Sequence, residues 1–219
     1  MNVLVIDIGG SNIKILATGQ PERIKIPSGV NFTPEEMVNL VKENAKNWKY
    51  EAVTMGFPGV VKNNKIVNEP RNLGTGWTSF DFETAFGCPI KIINDAAMQA
   101  LGSYSGKNLL FLGLGTGLGT ALVYNKLIIP MEAAHLPYKK GTFETHLSKE
   151  FLQKYGSVKW EKNVLDCIAY FSHAFQPEDI VLGGGNSKLL TQIPEGCRLG
   201  TNQNALIGGF RLWEDDFTV

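Results

Sequence analysis

Apolar residues along this chain gather into short runs that stop at glycine. The run from Asn2 to Gly10 is almost wholly apolar until it reaches Gly9-Gly10, and Ile13 to Thr18 then reads as a returning strand. The same pattern recurs from Asn108 to Thr116, with Gly119 to Tyr124 leading back. The offset is 106 residues, from Asn2 to Asn108, and it also superposes Leu4 on Leu110, Gly9 on Gly115 and Leu16 on Leu122. Identities are few, so the repeat lies in the strand–glycine turn–strand pattern, which predicts two related halves. Two unrelated apolar hairpins would give the same trace.

Between the hairpins the spacing changes. Thr33-Pro34-Glu35-Glu36 has the form of a capped helix start, with proline at the first helical position, and predicts a helix to about Trp48. Ala52 to Met55 reads as a buried strand ending at Gly56-Phe57-Pro58-Gly59. Pro89 to Ile93 is another strand, and Asn94-Asp95 opens a helix towards Ser103. Val164, Leu165, Ile168 and Phe171 recur at near-helical spacing and predict a helix from Lys162 to Phe175. A strand over Asp179 to Leu182 leads through Gly183-Gly184-Gly185 into a helix from about Ser187, and a last helix is expected from Asn202 to Trp213. Strands alternating with helices make the class α/β.

At 219 residues the chain is long enough for one large domain or two small ones. Lys plus Arg and Asp plus Glu number 21 each, a balance that argues against nucleic-acid binding as the main role. No apolar run has the length of a membrane span, and Met1-Asn2-Val3-Leu4 lacks the basic start of a secretory signal, so a cytoplasmic location is expected. Cys88, Cys167 and Cys197 are too few and too scattered for a disulfide framework or a zinc site.

The glycine clusters carry the candidate chemistry. In Asp7-Ile8-Gly9-Gly10-Ser11, a carboxylate at a strand end precedes a turn whose bare backbone can approach phosphate oxygens. Asp7 suits Mg²⁺ held through water, Ser11 can donate a hydrogen bond and Lys14 can add charge. The spacing is neither a P-loop nor a dinucleotide fingerprint; a plain glycine hairpin is the alternative. From Gly113 to Gly119 four of seven residues are glycine, with Thr116 among them, which suits a backbone nest for anions or a flexible connection. Gly113 stands where the first turn has Asp7, so only the first turn would anchor a metal. Gly183-Gly184-Gly185, between a strand and a helix, suits a flat ligand or a phosphate lying on backbone.

Taken together and in order, these segments resemble the ROK family of sugar kinases, within the actin/hexokinase/Hsp70 superfamily. The resemblance rests on DxGG at Asp7, Asn94-Asp95 after a strand, GxGTGxG at Gly113, the ExxH pair Glu132 and His135, and Gly183-Gly184-Gly185. It spans essentially the whole chain, and Ala133 to Glu144 looks most like the polyphosphate-glucokinase branch. It implies a two-lobed actin-like ATPase (ribonuclease H-like) fold with a central cleft. One lobe would be residues 1–106, the other 107–202, with a C-terminal helix at about 203–219 packing back on the first. It further implies a hexose kinase using Mg²⁺ with ATP or polyphosphate. Asp95 would be the general base at the sugar 6-hydroxyl, and Asn94, Glu132, His135 and Glu144 would bind the sugar. Gly9, Gly10, Gly115, Thr116 and Gly117 would hold phosphates, and Gly183, Gly184 and Gly185 would face adenosine. Partners would be a small sugar and the donor, with a homodimer suggested by the relatives.

The residue types suit these roles, since a sugar needs paired donors and acceptors and phosphoryl transfer needs positioning and charge control. Plain structural readings stand beside them: Asn94-Asp95 as a helix cap, Glu132 and His135 as a surface pair, Gly56 to Gly59 as an ordinary turn. The cysteine-rich zinc segment of many family members has no counterpart in Leu136 to Glu144, so no structural zinc is expected. Residues 144–179 look trimmed for the family. Lys139 and Lys140 read as solvated lysines or as guides for a polyanion. The rival functions are a non-catalytic sugar sensor, a kinase of N-acetylmannosamine or N-acetylglucosamine, and another ATPase of the superfamily.

Overall fold

The computed structural model describes residues 1–201, 203–214 and 217–219. Its frame is two five-stranded sheets built to one plan. In the first, β1 (Val3–Ile8), β2 (Asn12–Ala17) and β3 (Ile24–Pro27) form an antiparallel meander, and β4 (Ala52–Phe57) and β5 (Ile90–Asn94) add parallel on the other side, in the order 3-2-1-4-5. In the second, β6 (Leu109–Leu114), β7 (Leu118–Tyr124) and β8 (Leu127–Met131) form the meander, and β9 (Asp179–Gly183) and β10 (Cys197–Leu199) add parallel, in the order 8-7-6-9-10. The faint repeat in the sequence is therefore a repeat of topology.

Every residue of β1 is buried, as a central strand covered on both faces requires. Because side chains alternate, Leu4, Ile6 and Ile8 enter an outer core with α1 (Pro34–Asn44), while Val3 and Val5 face the middle of the molecule. β6 repeats the split: Leu110, Leu112 and Leu114 face an outer core with Trp160 and Val164, and Leu109 and Phe111 face the middle.

Two helices fill that middle. α3 (Asp95–Ser103) leaves the first sheet and packs on β6, β7 and β8 of the second. α7 (Asn204–Arg211) leaves the second sheet and packs on β1 and β4 of the first. They cross each other at glycine: a Cβ at Gly102 would overlap the Asn204 carbonyl, and one at Gly208 the Met98 carbonyl. Thr54 donates to the Gly209 carbonyl at 2.7 Å, Trp213 donates to the Thr54 hydroxyl at 2.8 Å, and Lys91 donates to the Leu212 carbonyl at 2.8 Å.

Several elements differ from the sequence reading. Thr33 caps α1 as expected, accepting from Glu36 N–H at 3.2 Å, but the helix stops at Asn44 so that Trp48 can fold back onto the outer core. α2 (Phe82–Phe86), α4 (Phe143–Leu147) and α5 (Lys149–Tyr155) are too short for periodicity to reveal. α6 (Ser157–Phe175) begins five residues before Lys162, just after Gly156 at φ 84°, because Trp160 is already core. The helix expected from Ser187 is a single 3₁₀ turn over Gly185–Leu189, after which the chain makes the unforeseen edge strand β10. The last helix starts at Asn204; Asn202, where it was expected, lies outside the described residues. No helix among the described residues is long and apolar enough to cross a membrane.

Candidate active site

A cleft of about 440 Å³ opens between the two sheets, at the ends where both glycine turns lie. Gly9 and Gly10 line it from the first sheet, and Gly113, Gly115, Thr116, Gly117 and Gly119 from the second. Asn94, Asp95, Glu132, His135, Glu144 and Gly184 also line it. Six segments far apart in the chain thus meet in one cavity.

The first turn is braced by Gly9 N–H donating to the Asn12 carbonyl at 3.1 Å and by Ser28 donating to the Gly9 carbonyl at 2.7 Å. Asp7 lies buried beneath it, opposite Lys14 across the hairpin, and accepts from the Lys14 ammonium at 2.7 Å. Asp7, Ser11 and Lys14 do not line the cleft themselves. Lys14 neutralises Asp7 instead of reaching into the cavity.

The second turn is braced from two sides. Asn186 donates to the Gly115 carbonyl at 2.8 Å, and Glu144 accepts from Leu118 N–H at 2.7 Å. A Cβ at Gly117 would overlap the Glu144 carboxylate, so glycine there makes room for that side chain. Glu144 sits in the first turn of α4, whose start is fixed by a reciprocal pair of hydrogen bonds between Thr142 and Thr145.

The third glycine stretch divides. Gly184 has φ 80°, lies against the Leu114 backbone and lines the cleft. Gly183 lacks a side chain because the Phe111 ring occupies that space, and Gly185 opens the 3₁₀ turn; neither lines the cavity. The structure therefore explains Gly183 by packing.

Asn94 is the cap of α3, accepting from Ala97 N–H at 3.1 Å and donating to the Gly59 carbonyl at 3.1 Å. The cap reading holds, yet the side chain still borders the cavity. Asp95 follows in the first turn of α3 with one oxygen accepting from Ala96 N–H at 2.8 Å. Burial, and then the Asp7 carboxylate, push its carboxyl up to about 7; the Ala96 N–H opposes this and Glu132 adds to it. Glu132 follows β8, and His135 closes a 3₁₀ turn with its Nε2 at 3.6 Å from the Glu132 carboxylate. Buried Thr120 fixes that turn, donating to the Met131 carbonyl at 2.8 Å and accepting from Ala133 N–H at 3.2 Å.

Sequence reasoning overlooked Asn186, Gln99 and the loop from Asn68 to Asn72, all of which brace or line the cleft. A polar side chain right after Gly183-Gly184-Gly185 was the available signal for Asn186. Gly56 is structural, with Met98 packed on its open face, whereas Gly59 reaches the cleft. Lys139 is exposed, as a solvated lysine would be, but it also donates to Asn163 at 2.6 Å and lies 3.5 Å from Asp166 on α6.

Asp7 and Asp95 are close enough for one to raise the pKa of the other, and they present only oxygen donors. That donor set fits Mg²⁺ held through water. Asp7, beneath the first turn, is the residue that would hold it.

A cleft between two repeated sheets, walled by paired glycine turns over a carboxylate, defines the actin-like ATPase fold. Solved structures share it. Inorganic polyphosphate/ATP-glucomannokinase from Arthrobacter sp. strain KM superposes with a TM-score of 0.81 at 22% identity, covering 95% of this chain and 96% of that one. A ROK family glucokinase from Streptomyces griseus, in complex with glucose and AMPPNP, gives 0.78 at 16% identity, covering 97% and 99%. The ROK family model matches residues 3–133, and the chain belongs to that family. Polyphosphate glucokinase of Mycobacterium tuberculosis is 29% identical over 206 residues, covering 84% of this chain and 77% of the relative.

Proposed function

We propose that this sugar kinase transfers a phosphoryl group from ATP or polyphosphate to the 6-hydroxyl of glucose or a close hexose. The observation that carries the reading is the shared cleft, in which both glycine turns and Asp95 face one cavity. The named relatives support the substrate class: one is a polyphosphate glucokinase and another a polyphosphate/ATP-glucomannokinase.

The sugar lies between Asn94-Asp95 and the trio Glu132, His135 and Glu144, whose carboxylates, imidazole and amide match hydroxyls that both donate and accept. Asp95 takes the 6-hydroxyl proton on its oxygen that is free of Ala96. With its carboxyl at about 7, it is poised between base and acid near neutral pH. The N–H groups of Gly10, Thr116 and Gly117 grip donor phosphates from opposite walls, at turns that the Gly9 and Gly115 N–H groups hold in shape. Mg²⁺, when bound, neutralises phosphate charge. Closure of residues 1–106, with the last helix, onto 107–202 excludes water, which would otherwise compete with the sugar as acceptor.

The test is a product assay over glucose, mannose, N-acetylglucosamine and N-acetylmannosamine, with Mg·ATP and Mg·polyphosphate run separately. Glucose 6-phosphate from at least one donor is expected. Sugar binding with no transfer from either donor overturns the reading in favour of a sensing module.

A further inference from the structure

The cleft has an electrostatic imbalance. Glu69, Asp95, Glu132 and Glu144 line it, and Asp7 lies just beneath. A phosphoryl donor is itself a polyanion. Lys14 is committed to Asp7 at 2.7 Å and Lys139 to Asn163 at 2.6 Å. Among the lining residues a single lysine or arginine remains, Arg71. Its guanidinium has no carboxylate or carbonyl partner among the described residues.

The loop that carries Arg71 is built to hold its place. On one side Glu69 staples it, accepting from Trp77 N–H at 3.1 Å, Thr78 N–H at 3.2 Å and the Thr78 hydroxyl at 2.7 Å. On the other side Leu73 and Trp77 are buried, and Gly74 N–H donates to the Phe32 carbonyl at 3.0 Å. Gly74 admits no side chain, since a Cβ would stand 2.8 Å from the Asn31 carbonyl. Asn72 rests on the first glycine turn, its Cβ 3.3 Å from where one on Gly10 would be. Arg71 therefore stands between two anchors, beside the turn that grips donor phosphate, on the same cavity as Asp95. Guanidinium is the side chain best matched to two oxygens of one phosphoryl group.

We propose that Arg71 is a catalytic residue that clamps the phosphoryl group passing from donor to sugar. This rests on the kinase reading above. In the step, the bond from phosphorus to the bridging oxygen of the donor breaks and its electron pair stays on that oxygen. A bond from phosphorus to the sugar 6-oxygen forms, and the hydroxyl proton passes to Asp95. Arg71 spans two non-bridging oxygens throughout and compensates the charge that the surrounding carboxylates would repel. The demand is the same for the terminal phosphoryl of ATP and of polyphosphate.

Two measurements on Arg71→Ala and Arg71→Lys test it. The first is calorimetric binding of magnesium tripolyphosphate in the absence of sugar; Arg71→Ala should bind about tenfold or more weakly, the scale of one lost charged hydrogen-bond pair. The second is turnover with each donor; kcat should fall about 100-fold in Arg71→Ala, the scale of one lost preorganised donor, with Arg71→Lys between the two. Glucose affinity and Tm should be unchanged, because Arg71 is exposed. Wild-type binding and turnover in Arg71→Ala overturn the proposal. If the wild type transfers no phosphoryl group but still binds tripolyphosphate through Arg71, the kinase reading falls and the polyanion clamp stands. If the wild type binds no tripolyphosphate, the clamp falls on its own.

Discussion

The two glycine hairpins share a fold and solve the placement of negative charge in opposite ways. In the first, the carboxylate belongs to the strand: Asp7 sits under Gly9-Gly10 and is cancelled by Lys14 across the ladder. In the second, the matching residue is Gly113, and the carboxylate comes from another element. Glu144 arrives from α4, is satisfied by Leu118 N–H and occupies the space that a side chain at residue 117 would fill. The first turn thus keeps its charge within itself. The second is physically joined to a residue assigned to the sugar. Two turns that look alike in sequence are differently wired, one to a lysine on its own hairpin and one to a carboxylate from a distant helix.

The strongest perturbation falls between them, at Asp95. Asp95→Asn should lower turnover by about 10³-fold while sugar binding persists, read by steady-state kinetics and calorimetry. Stability should move the other way. The carboxyl is raised from its ordinary 3.8 to about 7, so the fold favours the neutral form. Stability from that preference is complete below 3.8 and is lost as pH rises through 7. Asp95→Asn should therefore melt higher than wild type at pH 8, with the difference gone by about pH 4. Equal melting at pH 8 would show that Asp95 is not held under strain of charge.

Next comes the contrast between glycines. Gly117→Ala must displace Glu144 and should cost about 100-fold in turnover, with the loss shared by sugar KM, since small misplacements of this kind have that scale. Gly10→Ala meets the Asn72 Cβ at 3.3 Å, which need give by only a few tenths of an ångström, and should cost less than Gly117→Ala. Equal losses would erase the distinction between the turns.

The smallest effect is the most discriminating. Turnover should decline below about pH 7 as Asp95 takes up its proton. Because Asp7 helps to raise that value, Asp7→Asn should carry the acid limb to lower pH, by about one pH unit or less. Glu144→Gln should move the limb less, as the carboxylates that chiefly raise Asp95 are Asp7 and Glu132. A limb unmoved by Asp7→Asn would separate the first turn from the base.

The frame was legible because its signals are local. Buried strands ending at glycine, the Thr33-Pro34 helix start and the Asn94 cap each depend on a few adjacent residues. What escaped depends on partners far away. Nothing in Gly117 alone announces Glu144, and nothing in Lys14 announces that its ammonium is spent on Asp7. Gly183 looked like a ligand-facing glycine, but the Phe111 ring accounts for it. The Arg71 loop has no periodicity, so its position over the cleft emerges only once Glu69 and Asn72 are seen holding it. The early stop of α1 follows from Trp48 finding the core, a tertiary preference that helix propensity does not encode.

The crossing of α3 and α7 has a bearing on how the polypeptide is born. A ribosome releases the first sheet long before residues 204–213, yet the Thr54 hydroxyl and the Lys91 ammonium find their partners, and Val5 part of its packing, on that stretch. The amino-terminal half must wait, with an apolar seam open to solvent, until α7 has been made. A nascent chain halted before α7 should be a target for chaperones, and one released after it should close at once.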